Sequence, residues 1–129
     1  MPRYLSQEWM DRARALAADV PETPGASVRL QQVVTGAPGG DVVYHTVIED
    51  GRPVAQALGE DPEGPDLTLT STYDDSVRIF TGELDASAAF MQGRVKVAGD
   101  MAKMMAMLPL TASPAYRQVQ ERLRAETEL

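Results

Sequence analysis

The chain contains no cysteine. That removes disulfides, thiolate nucleophiles, cysteine-attached haem and cysteine-ligated zinc or iron–sulfur centres, and nothing in it calls for an oxidising compartment. Histidine occurs once, as His45, with no HExxH spacing around it. A transition-metal site is therefore not expected. His45 also lacks a nearby orienting group or nucleophile, so it reads as a strand residue rather than a catalytic base. Long apolar runs are missing as well. No stretch reaches the roughly 18 residues of a membrane span, and the start, MPRYLSQEWM, carries no apolar run of signal-peptide length. The ending AETEL is not a peroxisomal tripeptide, and a cytoplasmic protein is expected. The glycines of TGAPGGD lack the lysine and hydroxyl of a phosphate loop and do not follow GxGxxG, so they mark a turn. No cofactor is expected, and no catalytic set emerges. Asp75, Asp85 and Asp100 have local work at helix starts, and adjacent Asp74 and Asp75 do not share a helical face. The chain reads as a non-enzyme.

What is present suits one domain spanning residues 1–129. The net charge is −7, unevenly placed. Residues 41–85 carry eleven acids against Arg52 and Arg78, whereas residues 86–129 carry six bases against four acids. An acidic middle excludes the basic footprint that nucleic acid requires. It also limits membrane contact to transient docking through the C-terminal half.

Apolar spacing from Leu5 through Trp9, Ala13, Leu16, Ala17 and Val20 predicts a helix over 5–20, capped by Ser6 and stopped by Pro21. Strands follow over 27–34 and 42–48, the second rich in β-branched and aromatic residues. Asp50-Gly51 suits a tight hairpin turn into PVAQALG, and DLTLTS alternates as a strand over 66–71. The period then turns helical. Thr72 caps a helix whose Tyr73, Val77 and Phe80 share a face, and Gly82 ends it. Asp85 caps a short helix to Met91. RVKVAG forms a last strand, Asp100 caps MAKMMAML with Pro109 as its stop, and Ser113-Pro114 starts a helix to about Ala125. Short early connections imply antiparallel pairing. The expected fold is α+β: one curved, mostly antiparallel five-stranded sheet packed against helices on one side.

Five of the seven methionines fall between Met91 and Met107. Methionine is flexible and polarisable and fits irregular apolar shapes. In a helix after Asp100, Met101, Met104, Met105 and Leu108 share a face and Met107 lies off it. Core packing, a pliable pocket wall and a protein-contact face all fit this composition.

The segment PDLTLTSTYDDSVRIFTGELDASAAFMQGRVKVAGDMAKMMAML, residues 65–108, resembles the sterol carrier protein type 2 domain family. The resemblance rests on Asp66 before the alternating Thr-Leu-Thr, on Thr81-Gly82, on Ala89-Phe90-Met91, on Gly93-Arg94-Val95-Lys96-Val97 and on Gly99-Asp100. Arg94 stands for the usual lysine, and Asp85-Ala86 departs from the common Asp-Pro. The resemblance implies an apolar tunnel between sheet and helices that takes a fatty acid, fatty acyl-CoA, phospholipid, or sterol or isoprenoid. It implies that Phe90 and Met91 lie near this tunnel, that Met101, Met104, Met105 and Leu108 line it, and that Tyr116 and Val119 on the last helix cover an opening. Tyr73, Val77 and Phe80 complete the expected lining. A head group would sit near Lys96, Lys103 or Arg117, and opening would involve a shift of the last helix. The expected function is non-catalytic binding and transfer of an apolar small molecule. The alternative is a structural or interaction module, such as a homodimer or accessory subunit, with a filled core.

Overall fold

The computed structural model describes residues 1–129. The elements in order are α1 (Gln7–Leu16), β1 (Val28–Ala37), β2 (Gly40–Glu49), β3 (Arg52–Leu58), β4 (Leu67–Thr72), α2 (Tyr73–Phe80), α3 (Ala86–Met91), β5 (Lys96–Gly99), α4 (Met101–Thr111) and α5 (Pro114–Ala125). The strands form one sheet in the order β3-β2-β1-β4-β5. The β1–β2, β2–β3 and β4–β5 pairs are antiparallel, and β1–β4 is parallel. The expected α+β fold, mostly antiparallel, is the fold observed.

The helix starts follow from their caps. Side chains of Ser6, Thr72, Asp85, Asp100 and Ser113 each accept a hydrogen bond from a backbone N–H three residues on. Each satisfies a donor that the first turn leaves unpaired. At the β2–β3 turn, Asp50 and Gly51 both have positive φ, 49° and 82°, the primed-turn geometry that matches strand twist.

Two helices differ from expectation. α1 stops at Leu16 rather than Val20, because Ala17 closes it with a bond to the Ala13 carbonyl and Pro21 disfavours helical backbone at Val20. α4 runs through Pro109 to Thr111 instead of ending there. Proline on the outer side of a helix forfeits one bond and bends the axis without forcing the chain out of it.

The inner sheet face follows from the register. Val28, Leu30, Gln32 and Val34 of β1 stand beside Ile48, Thr46, Tyr44 and Val42 of β2 and, through Leu30, Gln32 and Val34, beside Leu67, Leu69 and Ser71 of β4. The helices divide this face into two cores. At one end Val34 and Tyr44 pack with Leu5, Trp9, Met10, Phe80 and Leu123. Tyr4 stacks on Phe80 there, with centroids 4.9 Å apart, and Trp9 meets both rings edge-on. Burial lifts the Tyr4 hydroxyl to about 12. At the other end Val28, Leu30, Ile48 and Leu67 pack against Met104 and Met107 of α4. Polar Gln32 and Thr46 lie between the two.

α1 lies along edge strand β3. The Gln7 amide donates from Nε2 to the Gln56 carbonyl and accepts at Oε1 from the Leu58 N–H. α5 is pinned at both ends: the Tyr116 hydroxyl donates to the Gly51 carbonyl, and Arg124 Nε donates to the Phe80 carbonyl at 3.0 Å. The Trp9 indole N–H donates to Thr127 just beyond α5, and Arg12 pairs with Glu126 at 2.9 Å.

Candidate functional site

The site is built where β1, β4, β5 and α4 meet. β4 enters at Asp66, whose carboxylate Oδ2 accepts the Arg29 N–H at 2.8 Å while its own N–H donates to the Arg29 carbonyl. The same Oδ2 accepts from Lys103 Nζ at 3.0 Å, and the Asp66 carbonyl accepts the Asp100 N–H. One acidic residue thus joins two parallel strands to the start of α4. The Arg29 N–H, then Lys103, hold its carboxyl below the usual carboxylate range. Gly99 completes the joint. Its φ is 118°, and a Cβ there would collide with the Asp66 carbonyl oxygen, so only glycine lets β5 come this close.

These contacts fix the rotation of α4. Met104 and Met107 are buried, at 4% and 8% exposure, and Leu108 and Leu110 are half-buried. Met101 and Met105 are 43% and 58% exposed, with Ala102, Ala106 and Pro109 beside them. The face proposed from periodicity, Met101–Met104–Met105–Leu108, is therefore turned, and Met107 lies inside. A helix apolar all round has no periodic signal to choose its inner face. The choice is made by Lys103 meeting Asp66 and by Asp100 bonding back to β4.

Between α4 and the strand ends lies a cavity of about 110 Å³, bounded by Gly25, Ala26, Ser27, Val28, Ile48, Lys103, Ala106, Met107 and Leu110. Lys103 is its one charged residue. Typical ligand pockets measure about 300–1,000 Å³, so this cavity is smaller than one. A wider hollow of about 250 Å³ lies elsewhere, between the chain ends and the β1–β2 turn, with Tyr4, Tyr73 and Val42 beside Arg3, Glu128 and Leu129. It opens to solvent and belongs to the aromatic end of the molecule.

Met104 belongs to the second core, and Phe90 and Leu108 pack against that core. Phe80 and Tyr73 belong to the first core instead. Val77 and Val119 are half-buried, Tyr116 is spent on the Gly51 carbonyl, and Met91 is 84% exposed. Periodicity missed Met107, Ile48 and Val28, and it left Asp61 in a polar loop. The Asp61 side chain is fully covered and takes Arg29 at both oxygens, 2.7 and 2.8 Å, which anchors the crossover from β3 to β4. The Arg29 bond holds its carboxyl below the usual range. Arg29 in a strand, followed by a short acidic loop, is the only sequence signal for that pair.

His45 is half-buried in β2 with Nδ1 2.9 Å from the Gly59 carbonyl oxygen, and no three acidic or imidazole side chains converge on a metal-sized space. No helix is long and apolar enough to cross a membrane.

Comparison with known proteins agrees with this arrangement. Over 44 residues, 34% of this chain and 10% of the relative, it is 41% identical to human hydroxysteroid dehydrogenase-like protein 2. The chain thus spans about a tenth of that curated relative's length. A crystal structure of sterol carrier protein 2 superposes with a TM-score of 0.70 at 14% identity, covering 95% of this chain and 98% of that one. The palmitated sterol carrier protein 2-like 2 of Aedes aegypti superposes at 0.60 with 21% identity, covering 78% and 86%. The SCP-2 sterol transfer family model matches residues 16–111, which take in the whole sheet, the Asp66 joint and α4. The match covers most of this chain, and the chain belongs to the SCP-2 sterol transfer family.

Proposed function

We propose that this chain binds a single aliphatic ligand between α4 and the inner face of the sheet, and carries it without altering it. The observation behind this reading is the cavity under a four-methionine helix. Its walls are mostly apolar, and it adjoins a core of Leu30, Leu67, Met104 and Met107. A fatty acid, fatty acyl-CoA, phospholipid tail or isoprenoid suits these walls. The palmitated mosquito relative is a precedent for the first.

Burial provides the energy. Each buried CH₂ contributes about 0.8 kcal/mol, so a sixteen-carbon chain offers on the order of 12 kcal/mol gross. Ordering, association and the displacement of α4 consume part of this. About 8 kcal/mol net corresponds to micromolar affinity. Unbranched Met107, the methionine in the cavity wall, is flexible enough to refill the space when the ligand leaves.

The opening element is α4, not α5. α5 is held by Tyr116, by Arg124, by the Arg12–Glu126 pair and by buried Leu123. α4 is held by the Lys103–Asp66 pair, by the Asp100 N–H on the Asp66 carbonyl and by buried Met104 and Met107, but its outer face is exposed and Pro109 interrupts its last turn. The test is native mass spectrometry of protein purified from its own host, with solvent extraction of what it carries. An acyl or isoprenoid species at near-unit stoichiometry supports the reading. An apo mass, together with failure to take up a fluorescent fatty acid, refutes it and favours an interaction module.

A further inference from the structure

The hollow of about 250 Å³ at the aromatic end is larger than the cavity beside α4 and shares no residue with it. Tyr4, Pro38, Val42 and Tyr73 give it an apolar and aromatic wall, and exposed Arg3 and Glu128 bring charge of both signs. Backbone pairing fixes where these two charges start. Arg3 and Glu128 face each other in a parallel bridge. The Tyr4 N–H donates to the Glu128 carbonyl at 2.9 Å, and the Glu128 N–H to the Pro2 carbonyl at 2.8 Å. The Trp9 indole N–H on Thr127 ties this seam to the first core.

Arg12, Arg29, Arg52, Arg78, Arg94 and Lys103 each meet a carboxylate. Arg3 and Glu128 do not, although their backbones are neighbours, and the Tyr73 hydroxyl has no protein partner either. The other polar side chains at the hollow are engaged: the Tyr4 hydroxyl with Ser76, and the Ser6 hydroxyl with the Trp9 N–H. Paired backbones lie about 5 Å apart, so the two unpaired charges rise from almost the same place. A ligand of one sign would satisfy one of them and meet a like charge at the other. A ligand with a carboxylate and an ammonium on one carbon satisfies both. The walls suit a flat ring, and a volume below that of a drug-sized pocket limits the ligand to one ring system.

We propose that this hollow binds a free aromatic α-amino acid. Its carboxylate lies on the Arg3 guanidinium, whose paired N–H donors match a carboxylate, and accepts from the Tyr73 hydroxyl. Its ammonium lies on the Glu128 carboxylate. Its ring packs among Tyr4, Val42 and Tyr73. The site is independent of the α4 cavity, so each reading stands or falls without the other.

Titration of L-phenylalanine into isotope-labelled protein, followed by backbone amide chemical shifts, tests this. Saturating shifts are expected at Tyr4, Val42 and Tyr73, and none at Met104 or Met107. Phenylpropanoate, which lacks the ammonium, and phenethylamine, which lacks the carboxylate, each bind about threefold weaker, the scale of one exposed charge pair. L-alanine keeps both charges without the ring and binds about tenfold weaker. Arg3→Gln removes the advantage of phenylalanine over phenethylamine, and Glu128→Gln removes its advantage over phenylpropanoate. Both side chains are exposed, so both variants keep the wild-type circular dichroism. L-phenylalanine that shifts no residue of the hollow at millimolar concentration overturns the proposal. Equal binding of the three aromatic ligands by wild type, L-alanine binding as tightly as L-phenylalanine, or charge advantages that survive in both variants overturn it as well.

Discussion

Replacing Met104 by alanine and, separately, Met105 by alanine measures which face of α4 is turned inward. The two positions are adjacent, the substitution is the same, and only burial differs: 4% exposure against 58%. Met104 packs among Leu30, Leu67 and Met107. Truncating a buried methionine costs about 2–5 kcal/mol through lost transfer energy and the void left behind. The neighbouring cavity of about 110 Å³ shows that this region is already loosely filled, so the void adds little cost beyond transfer. A loss of about 2–3 kcal/mol is expected. Met105→Ala removes far less buried surface and places a better helix former on the outer face, so it lies within about 0.5 kcal/mol of wild type. Urea titration followed by far-ultraviolet circular dichroism reads both. With a slope of about 2 kcal/mol/M, Met104→Ala lowers the midpoint by about 1 M, with the slope unchanged. If Met105→Ala costs as much as Met104→Ala, the helix is rotated toward the Met101–Met105 face, and the account of what Lys103 and Asp66 do for α4 fails.

Pro109→Ala restores a backbone N–H to the last turn of α4. It is expected to raise stability by about 1–3 kcal/mol and to slow uptake of a fluorescent fatty acid in stopped-flow mixing; faster uptake contradicts α4 as the moving part. Tyr116→Phe removes the hydroxyl that holds α5 to the β2–β3 turn, costing about 1 kcal/mol. Ligand exchange in that variant stays within about twofold of wild type, and a large acceleration would return the gate to α5. Asp61 and Asp66 both ionise more readily folded than unfolded. Their contribution is thus complete above the unfolded carboxylate value of about 4 and is lost as the pH falls through the lower folded values. The urea midpoint should hold from neutral pH to about pH 5 and then fall, and Asp61→Asn should be weaker at neutral pH with a shallower acid limb.

Much of the fold is legible in residues 5–125. Ser6, Thr72, Asp85, Asp100 and Ser113 each announce a helix start, because capping is local chemistry between residues three apart. The β2–β3 turn is written in Asp50-Gly51 for the same reason. The parallel pairing of β1 with β4 is not local: it depends on Asp66 reaching Arg29, 37 residues away. Asp61 was illegible because its loop has the composition of a solvated one, and only the tertiary placement of Arg29 covers it. For the candidate site, composition singles out α4, and the burial of its methionines differs from the periodic reading. Methionine enrichment after Asp100 draws attention to that helix. Its phase is set by Lys103 and Asp66 across the fold, and Phe80 and Tyr73 are claimed by an aromatic cluster that Tyr4 and Trp9 complete.

The Gln7 amide beside β3 has a consequence for what the molecule does in company. An open sheet offers its outermost strand as a template, and any extended chain that matches its donors and acceptors can extend it. Gln7 occupies one donor and one acceptor of that strand, at Leu58 and Gln56, with the same pair of groups that a neighbouring backbone would present. An incoming strand gains nothing at those positions until it evicts the side chain, and α1 holds that side chain in place through Trp9 and Met10 in the core. One carboxamide thus behaves as a sixth strand a single residue long, which ends the sheet on the β3 side.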